Sequence, residues 1–250
     1  MAEITEFPSL PPALRRAWGV DTVRPNRGPR ASLSIDAIVD TAVSLGNTEG
    51  VNGISLTRVA TRLGVTTNAL YRYISSREEL DVLTRERALG PPPPSSRARR
   101  WQPQVSAWAY SLRSRYAEQP WLVDLRIRIP LTPNALGWFE RLLEGLARSP
   151  FTAIEKVRIA TLVDGFVRSS AAAARDLAEA GPPLREPDPA LTALGRLLAD
   201  RGLTQTAEIL DAGLYQEPPD RRNDADFAFG LQRIIAGLEA LAASRRGSGA

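Results

Sequence analysis

The sequence contains no cysteine and no histidine. Without cysteine there are no disulfides, thiolate-held zinc or iron–sulfur sites and no thiol catalysis, and a reducing compartment is compatible with the chain. Without histidine, the commonest transition-metal ligand and the commonest general base are both missing, and no cofactor is expected. Lysine is scarce too: of 32 basic residues only Lys156 is a lysine, so arginine use is chain-wide and marks no site by itself. No apolar run reaches the ~18 residues of a membrane-spanning helix. The amino terminus M-A-E-I-T-E-F-P-S also lacks the basic and apolar regions of a signal peptide. These absences predict a soluble, cytoplasmic protein with no membrane partner. The formal charge of +4 is modest, so any nucleic-acid binding must rest on local patches. At 250 residues the chain can bury one large or two modest cores.

The most informative stretch runs from residue 54 to 80, I-S-L-T-R-V-A-T-R-L-G-V-T-T-N-A-L-Y-R-Y-I-S-S-R-E-E-L. Ser55 is placed to cap a helix whose apolar residues Leu56, Val59, Ala60 and Leu63 fall at i, i+3, i+4 and i+7. Gly64 follows, where a left-handed residue ends a helix without a Cβ penalty. Thr66 then caps a second helix predicted over 67–74. Ile54 with Val59, and Val65 with Leu70, have the spacing of hydrophobic staples that set the entry angle of each helix. Two short helices around a glycine turn are the sequence form of a helix-turn-helix.

The outer face of the second helix offers Thr67, Asn68, Ala69, Tyr71, Arg72 and Tyr73. Amide, hydroxyl and methyl groups suit base edges, whereas phenols and guanidinium groups reach phosphates. Arg58, Arg62, Arg72 and Arg77 fall between residues 53 and 77, a window without an acid. Ser55, Thr57, Arg58, Thr66 and Arg77 therefore join the six as the candidate double-stranded DNA surface. The alternative is a plain amphipathic hairpin with a solvated polar face.

Residues 1–33 read as an irregular arm with a brief helix around 13–18. Its segment R-P-N-R-G-P-R brings Arg24, Arg27 and Arg30 together without an acid. It is either a minor-groove arm or a tail of chance basicity, and both readings stand. Ser34 caps the next helix, with Leu33 stapled to Ile38 and Gly50 ending it. Ser75 or Ser76, each with a glutamate three residues on, opens a helix to about Leu89. Residues 34–89 thus form a homeodomain-like DNA-binding domain with its connecting helix, and Gly90 with the proline run begins a linker over 90–100. From 101 to 250 further helices are predicted at 104–118, 122–128, 133–147, 153–178, 189–199, 204–215 and 224–244. Proline-rich loops fall at 181–187 and 216–223, and no sustained alternation suggests a strand, so the fold class is all-α.

Read this way, the sequence resembles the TetR family of one-component transcriptional regulators. The resemblance lies in G-x-S-x-x-x-V-A-x-x-L-G-V-x-x-x-x-L-Y-x-Y followed by S-R-E-E-L, and it is strongest over 34–88. D-F-A-F-G-L-Q-R-I-I-A-G-L-E-A-L, at 226–241, looks like the last helix of the tetracycline-repressor branch, and Trp101 sits where that branch opens its effector domain. The resemblance implies a homodimer on a palindromic operator, released by a small-molecule effector. It implies that Thr67, Asn68 and Ala69 face bases, with Tyr71 and Tyr73 on phosphates. Thr57 stands where the tetracycline repressor has a base-reading arginine, so the operator does not transfer. That repressor also holds its magnesium–drug chelate through a histidine. Here Arg126 falls near that position, so magnesium–tetracycline does not suit this chain.

In the region 101–250, a small apolar or aromatic effector would be held among Trp108, Trp121, Trp138 and Phe166. Asp164 and Arg168, or Arg126 and Arg128, would serve as polar anchors. Equally, the aromatics are core and Asp164 with Arg168 form a solvated i, i+4 pair. Phe227, Leu231, Ile234, Leu238 and Leu241 make a stripe expected at the dimer interface, with Gly230 and Gly237 letting backbones approach. Two other classes remain at this stage: a DNA-binding protein without an effector, and an all-α enzyme. Catalysis has little to work with, because Lys156 lacks S-x-x-K spacing and the acids Asp220, Asp224 and Asp226 sit beside Arg221 and Arg222.

Overall fold

A computed structural model describes residues 9–20, 33–126, 130–179, 189–213 and 219–247, and among them every regular element is helical. Helix α1 is Pro12–Ala17, α2 Ile35–Glu49, α3 Leu56–Leu63, α4 Thr67–Leu70 and α5 Arg77–Leu89. Then follow α6 Trp101–Glu118, α7 Pro133–Gly145, α8 Ala153–Glu179, α9 Pro189–Asp200, α10 Thr204–Asp211 and α11 Pro219–Gly247.

The caps are those the sequence predicts. Ser34 Oγ accepts from Ala37 N at 3.0 Å, Ser55 Oγ from Arg58 N at 3.2 Å and Thr66 Oγ1 from Ala69 N at 3.3 Å. Gly64 is left-handed at φ 69°, and the Val65 N–H reaches back to the Ala60 carbonyl at 3.0 Å, closing α3 in a Schellman arrangement. Ser76 is the cap of α5, and the Glu79 carboxylate reaches back to Ser75 rather than to Ser76, at 2.7 Å to N and 2.6 Å to Oγ. Ile54, Val59, Leu70 and Ile74 are fully buried and join α2 and α5 in one core.

Several predicted elements change. The second helix of the helix-turn-helix is regular only over Thr67–Leu70, and residues 71–73 form a turn. There the Tyr73 N–H bonds to Leu70 O with 3-10 spacing, as the chain tightens towards the competing cap at Ser76. The predicted helix 122–128 is a 3-10 turn over Pro120–Val123, whose following carbonyls are taken by a side chain of α8, described below. The predicted loop 216–223 is helical from Pro219, because proline fits the first turn of a helix. Helix α6 likewise begins at Trp101, with Pro103 tolerated in its first turn.

Helices α6, α7, α8 and α11 pack into the second core, continuous with the first through Leu89 and Trp121. The α9–α10 hairpin has a small core of its own, Leu191, Leu198 and Leu210. Residues 223–245 of α11 have the length and mean hydropathy, 1.2, of a membrane span. One face of that helix is instead buried against α8: Phe227 stacks on Phe166 at 5.3 Å, and Gly230 lies so close that a Cβ would stand 2.6 Å from the Phe166 ring.

Candidate functional site

The helix-turn-helix presents its polar face outward. Thr57, Thr66, Asn68 and Arg72 are exposed, Tyr71 is 52% exposed, and Ser55, Thr67 and Ala69 are half-buried. Tyr73 also packs against the core, leaving less of its ring free than Tyr71. Two of the arginines are already engaged: Arg58 pairs with Glu49 of α2, and Arg77 Nε donates to Asp81 at 2.7 Å. Arg24, Arg27, Arg30 and Arg128 lie outside the described residues.

A second feature is a cavity of about 400 Å³ between α5, α6, α7 and α8. Its walls include the Trp108 and Trp138 rings, T-shaped at 5.9 Å between centroids. Both indole N–H groups are already used: Trp108 Nε1 donates to Trp138 O at 2.8 Å and Trp138 Nε1 to Gly90 O at 3.0 Å. The rings therefore offer the cavity carbon faces. Trp108, Trp138 and Asp164 are brought together there as the sequence suggested.

The other expected anchors are elsewhere. Trp121 is buried beneath α2, donating from Nε1 to Asn47 Oδ1 at 2.6 Å. Phe166 lies against α11. Arg126 is exposed at the end of its turn and does not line the cavity. Arg168 is committed to the backbone: its Nε donates to Val123 O at 3.0 Å and its Nη2 to Leu125 O at 2.9 Å. The guanidinium fork thus satisfies the carbonyls that a full helix over 122–128 would have used internally.

Besides Thr161, whose hydroxyl donates to Val157 O at 3.1 Å, two polar groups of the cavity have no sequence signal, Arg85 of α5 and Tyr116 of α6. Neither has a motif around it; each stands in a helix whose inward face only packing reveals. Asp164 makes no hydrogen bond or ion pair among the described residues, and burial holds its pKa above the usual carboxylate range against the opposing charges of Arg85 and Arg168. Tyr116 is raised by burial first and by Asp164 second, with Arg85 opposing. Arg85 Nε is buried without a partner among the described residues. An apolar chamber thus carries a small polar floor in which Tyr116 meets Arg85 while Arg85 Nε and the Asp164 carboxyl have no hydrogen-bond partner among the described residues, the composition of a ligand site. One wall of it is α5, the helix that follows the helix-turn-helix directly.

The stripe expected between subunits faces inward in large part. Phe227, Leu231 and Leu238 are buried within the protomer, Ile234 is half-buried and only Leu241 is exposed. The apolar surface of α11 is wider than one stripe, and periodicity alone does not say which part meets α8 of the same chain. The outward residues are Phe229 on α11, 64% exposed, and Leu162 on α8, with Gly165, Ser169 and Ala173 continuing the α8 face. Gly237 has open space before it. Asp224, of the acidic group beside Arg221 and Arg222, pairs with Arg113 at 2.6 Å.

Comparison with known proteins identifies the family of both regions. The profile described as bacterial regulatory proteins, tetR family, matches residues 38–80, and that of the tetracyclin repressor-like C-terminal domain matches 93–242. The HTH-type transcriptional repressor DrrR1 of Streptomyces coeruleorubidus is 32% identical over 236 residues, covering 91% of this chain and 85% of its own. Apo ActR of Streptomyces coelicolor superposes with a TM-score of 0.68 at 27% identity, covering 86% of this chain and 99% of that one. ActR in complex with actinorhodin gives 0.62 at 26% identity, covering 84% and 97%. Regulators of this family bind DNA and small-molecule effectors and function as dimers. The chain belongs to the tetR family of bacterial regulatory proteins, as a ligand-responsive DNA-binding transcriptional repressor.

Proposed function

We propose that the protein acts in the cytoplasm as a homodimer, has no catalytic step, and leaves a palindromic operator when a small aromatic effector fills the cavity between α5 and α8. The observation that carries this reading is the position of the cavity: its wall is α5, so whatever fills it bears on the helix attached to the DNA-reading surface. The effector would stack on the Trp108 and Trp138 faces. Arg85 would meet an acceptor oxygen, and Asp164 a donor such as a phenolic hydroxyl. The two subunits would join through the outward faces of α8 and α11, placing their recognition segments in successive major grooves about 34–36 Å apart.

Ligand-driven release requires only that the effector bind better to the form with wrongly spaced recognition segments. ActR supplies a first compound to try. Footprinting on DNA flanking the protein's own gene, with and without actinorhodin, tests both halves. A palindromic footprint that disappears with the compound supports the proposal. A footprint that persists with every aromatic hydroxy compound tried, alongside no thermal shift, favours a DNA-binding protein controlled by another route.

A further inference from the structure

The amino-terminal helix α1 is docked rather than loose. Ala13 and Leu14 are buried against α5. Arg16 forms an ion pair with Glu79, which is 3% exposed and is the residue whose other oxygen holds Ser75. Two residues on, Trp18 Nε1 donates to the carbonyl of Leu131 at 2.9 Å. Leu131, with Pro130, belongs to the rim of the effector cavity. One seven-residue reach, 12 to 18, therefore touches both the start of α5 and the mouth of the cavity.

The placement matters because α5 is held differently at its two ends. Its carboxyl end is fixed to α7: Asn134 donates from N to Glu86 Oε1 at 2.6 Å and from Nδ2 to Glu86 O at 2.9 Å. Trp138 adds its bond to Gly90 O. At ~1.5 Å per residue, the amino end of this 13-residue helix lies about 20 Å away, next to the recognition segment. A rotation about the fixed end moves the amino end most, and that is where Arg16 grips. We propose that α1 is a strap carrying movement of the cavity rim, through Trp18 and Arg16, to the recognition end of α5. The inference rests on the cavity being the effector site. It adds a route that bypasses the length of α5 itself.

The test uses the full-length protein with an operator recovered by random-sequence selection. Trp18→Phe keeps an aromatic ring but loses the N–H, and Arg16→Gln removes the charge; both positions lie on the strap, and a thermal melt checks that each variant is folded. In the wild type, operator binding should change amide hydrogen exchange over residues 131–136, and in either variant the change should shrink by about threefold or more. No operator-induced change in the wild type, or an undiminished one in both folded variants, overturns the strap. A parallel arm measures operator affinity with and without actinorhodin. If the wild type is released, the ratio of the two affinities should fall by about threefold in Trp18→Phe. Failure of the wild type to be released counts against the effector reading with that compound, while the exchange arm still decides the strap.

Discussion

Gly46 of α2 lies against the indole of Trp121, so closely that a Cβ at position 46 would stand 2.5 Å from Trp121 Cε2. The adjacent Asn47 accepts the indole N–H. This joins the DNA-binding domain to the effector domain at a place the sequence does not suggest, since α5 alone reads as the bridge. Gly46→Ala should overpack the junction and cost about 1–3 kcal/mol in urea denaturation. Trp121→Phe should instead leave Asn47 without its donor and lower stability by about 1 kcal/mol. If Gly46→Ala unfolds at the wild-type midpoint, the ring is not held there.

On the DNA surface, Asn68 and Tyr71 should separate in their effects. Asn68→Ala should relax the operator consensus at one position per half-site, costing about 1–3 kcal/mol of discrimination. Tyr71→Phe should weaken all sequences alike, because a phosphate contact orients without reading. Tyr73→Phe should do less than Tyr71→Phe, since Tyr73 is partly packed into the core. Random-sequence selection with each variant provides the comparison; a shifted consensus for Tyr71→Phe would assign that ring to the bases.

Asp164 makes a prediction with a definite sign. Its folded pKa is raised by burial, so the proton is bound more tightly in the folded state. Its contribution to stability is fully present below the ordinary carboxylate pKa and is lost as pH rises through the raised value. At neutral pH the ionised group is therefore a cost. Asp164→Asn should melt higher than wild type at pH 7–8, and the gap should close as the pH is lowered towards 4. A gap that widens on acidification would show that the carboxylate is stabilised in its charged form.

The two faces of α11 should respond in opposite ways. Phe229→Glu places a charge on the outward surface and should yield folded monomers that no longer bind the operator. Phe227→Ala should cost about 3–5 kcal/mol of protomer stability, because that ring packs against Phe166, Tyr110 at 5.1 Å and the Arg113 guanidinium at 4.6 Å. Sedimentation with denaturation curves distinguishes them. A dimeric, operator-binding Phe229→Glu would move the interface off this face.

What could be read from the chain beforehand follows from how local each signal is. Ser34, Ser55, Thr66, Gly64 and Gly50 act on atoms within five residues, and their structures are as expected. The turn after Thr67–Leu70 depends on the competition of two neighbouring caps, Thr66 and Ser76, and the shortened element at Pro120–Val123 on a distant partner, Arg168, so propensity misses both. The cavity was half visible: Trp108, Trp138 and Asp164 stand out by type. Arg85 is one arginine among many, and the fork of Arg168, an anchor by residue type, is held by two backbone carbonyls. The α11 stripe was legible as an apolar face, but periodicity does not tell which of its residues pack within the protomer, and Phe227, Leu231 and Leu238 are buried there.

The indole nitrogens that tie Trp108 to Trp138 and Trp138 to Gly90 leave two of the five tryptophans with their ring faces open to the cavity. A third, Trp121, is sealed in the junction with α2, and a fourth, Trp18, stands at the surface on Leu131. The chain therefore carries its own optical reporters. An aromatic ligand in the cavity will quench the emission of Trp108 and Trp138 by contact and energy transfer. Replacing either of these two with phenylalanine dims only the cavity signal. Replacing Trp18 leaves that signal in place, so occupancy can be followed on unlabelled protein with a fluorimeter.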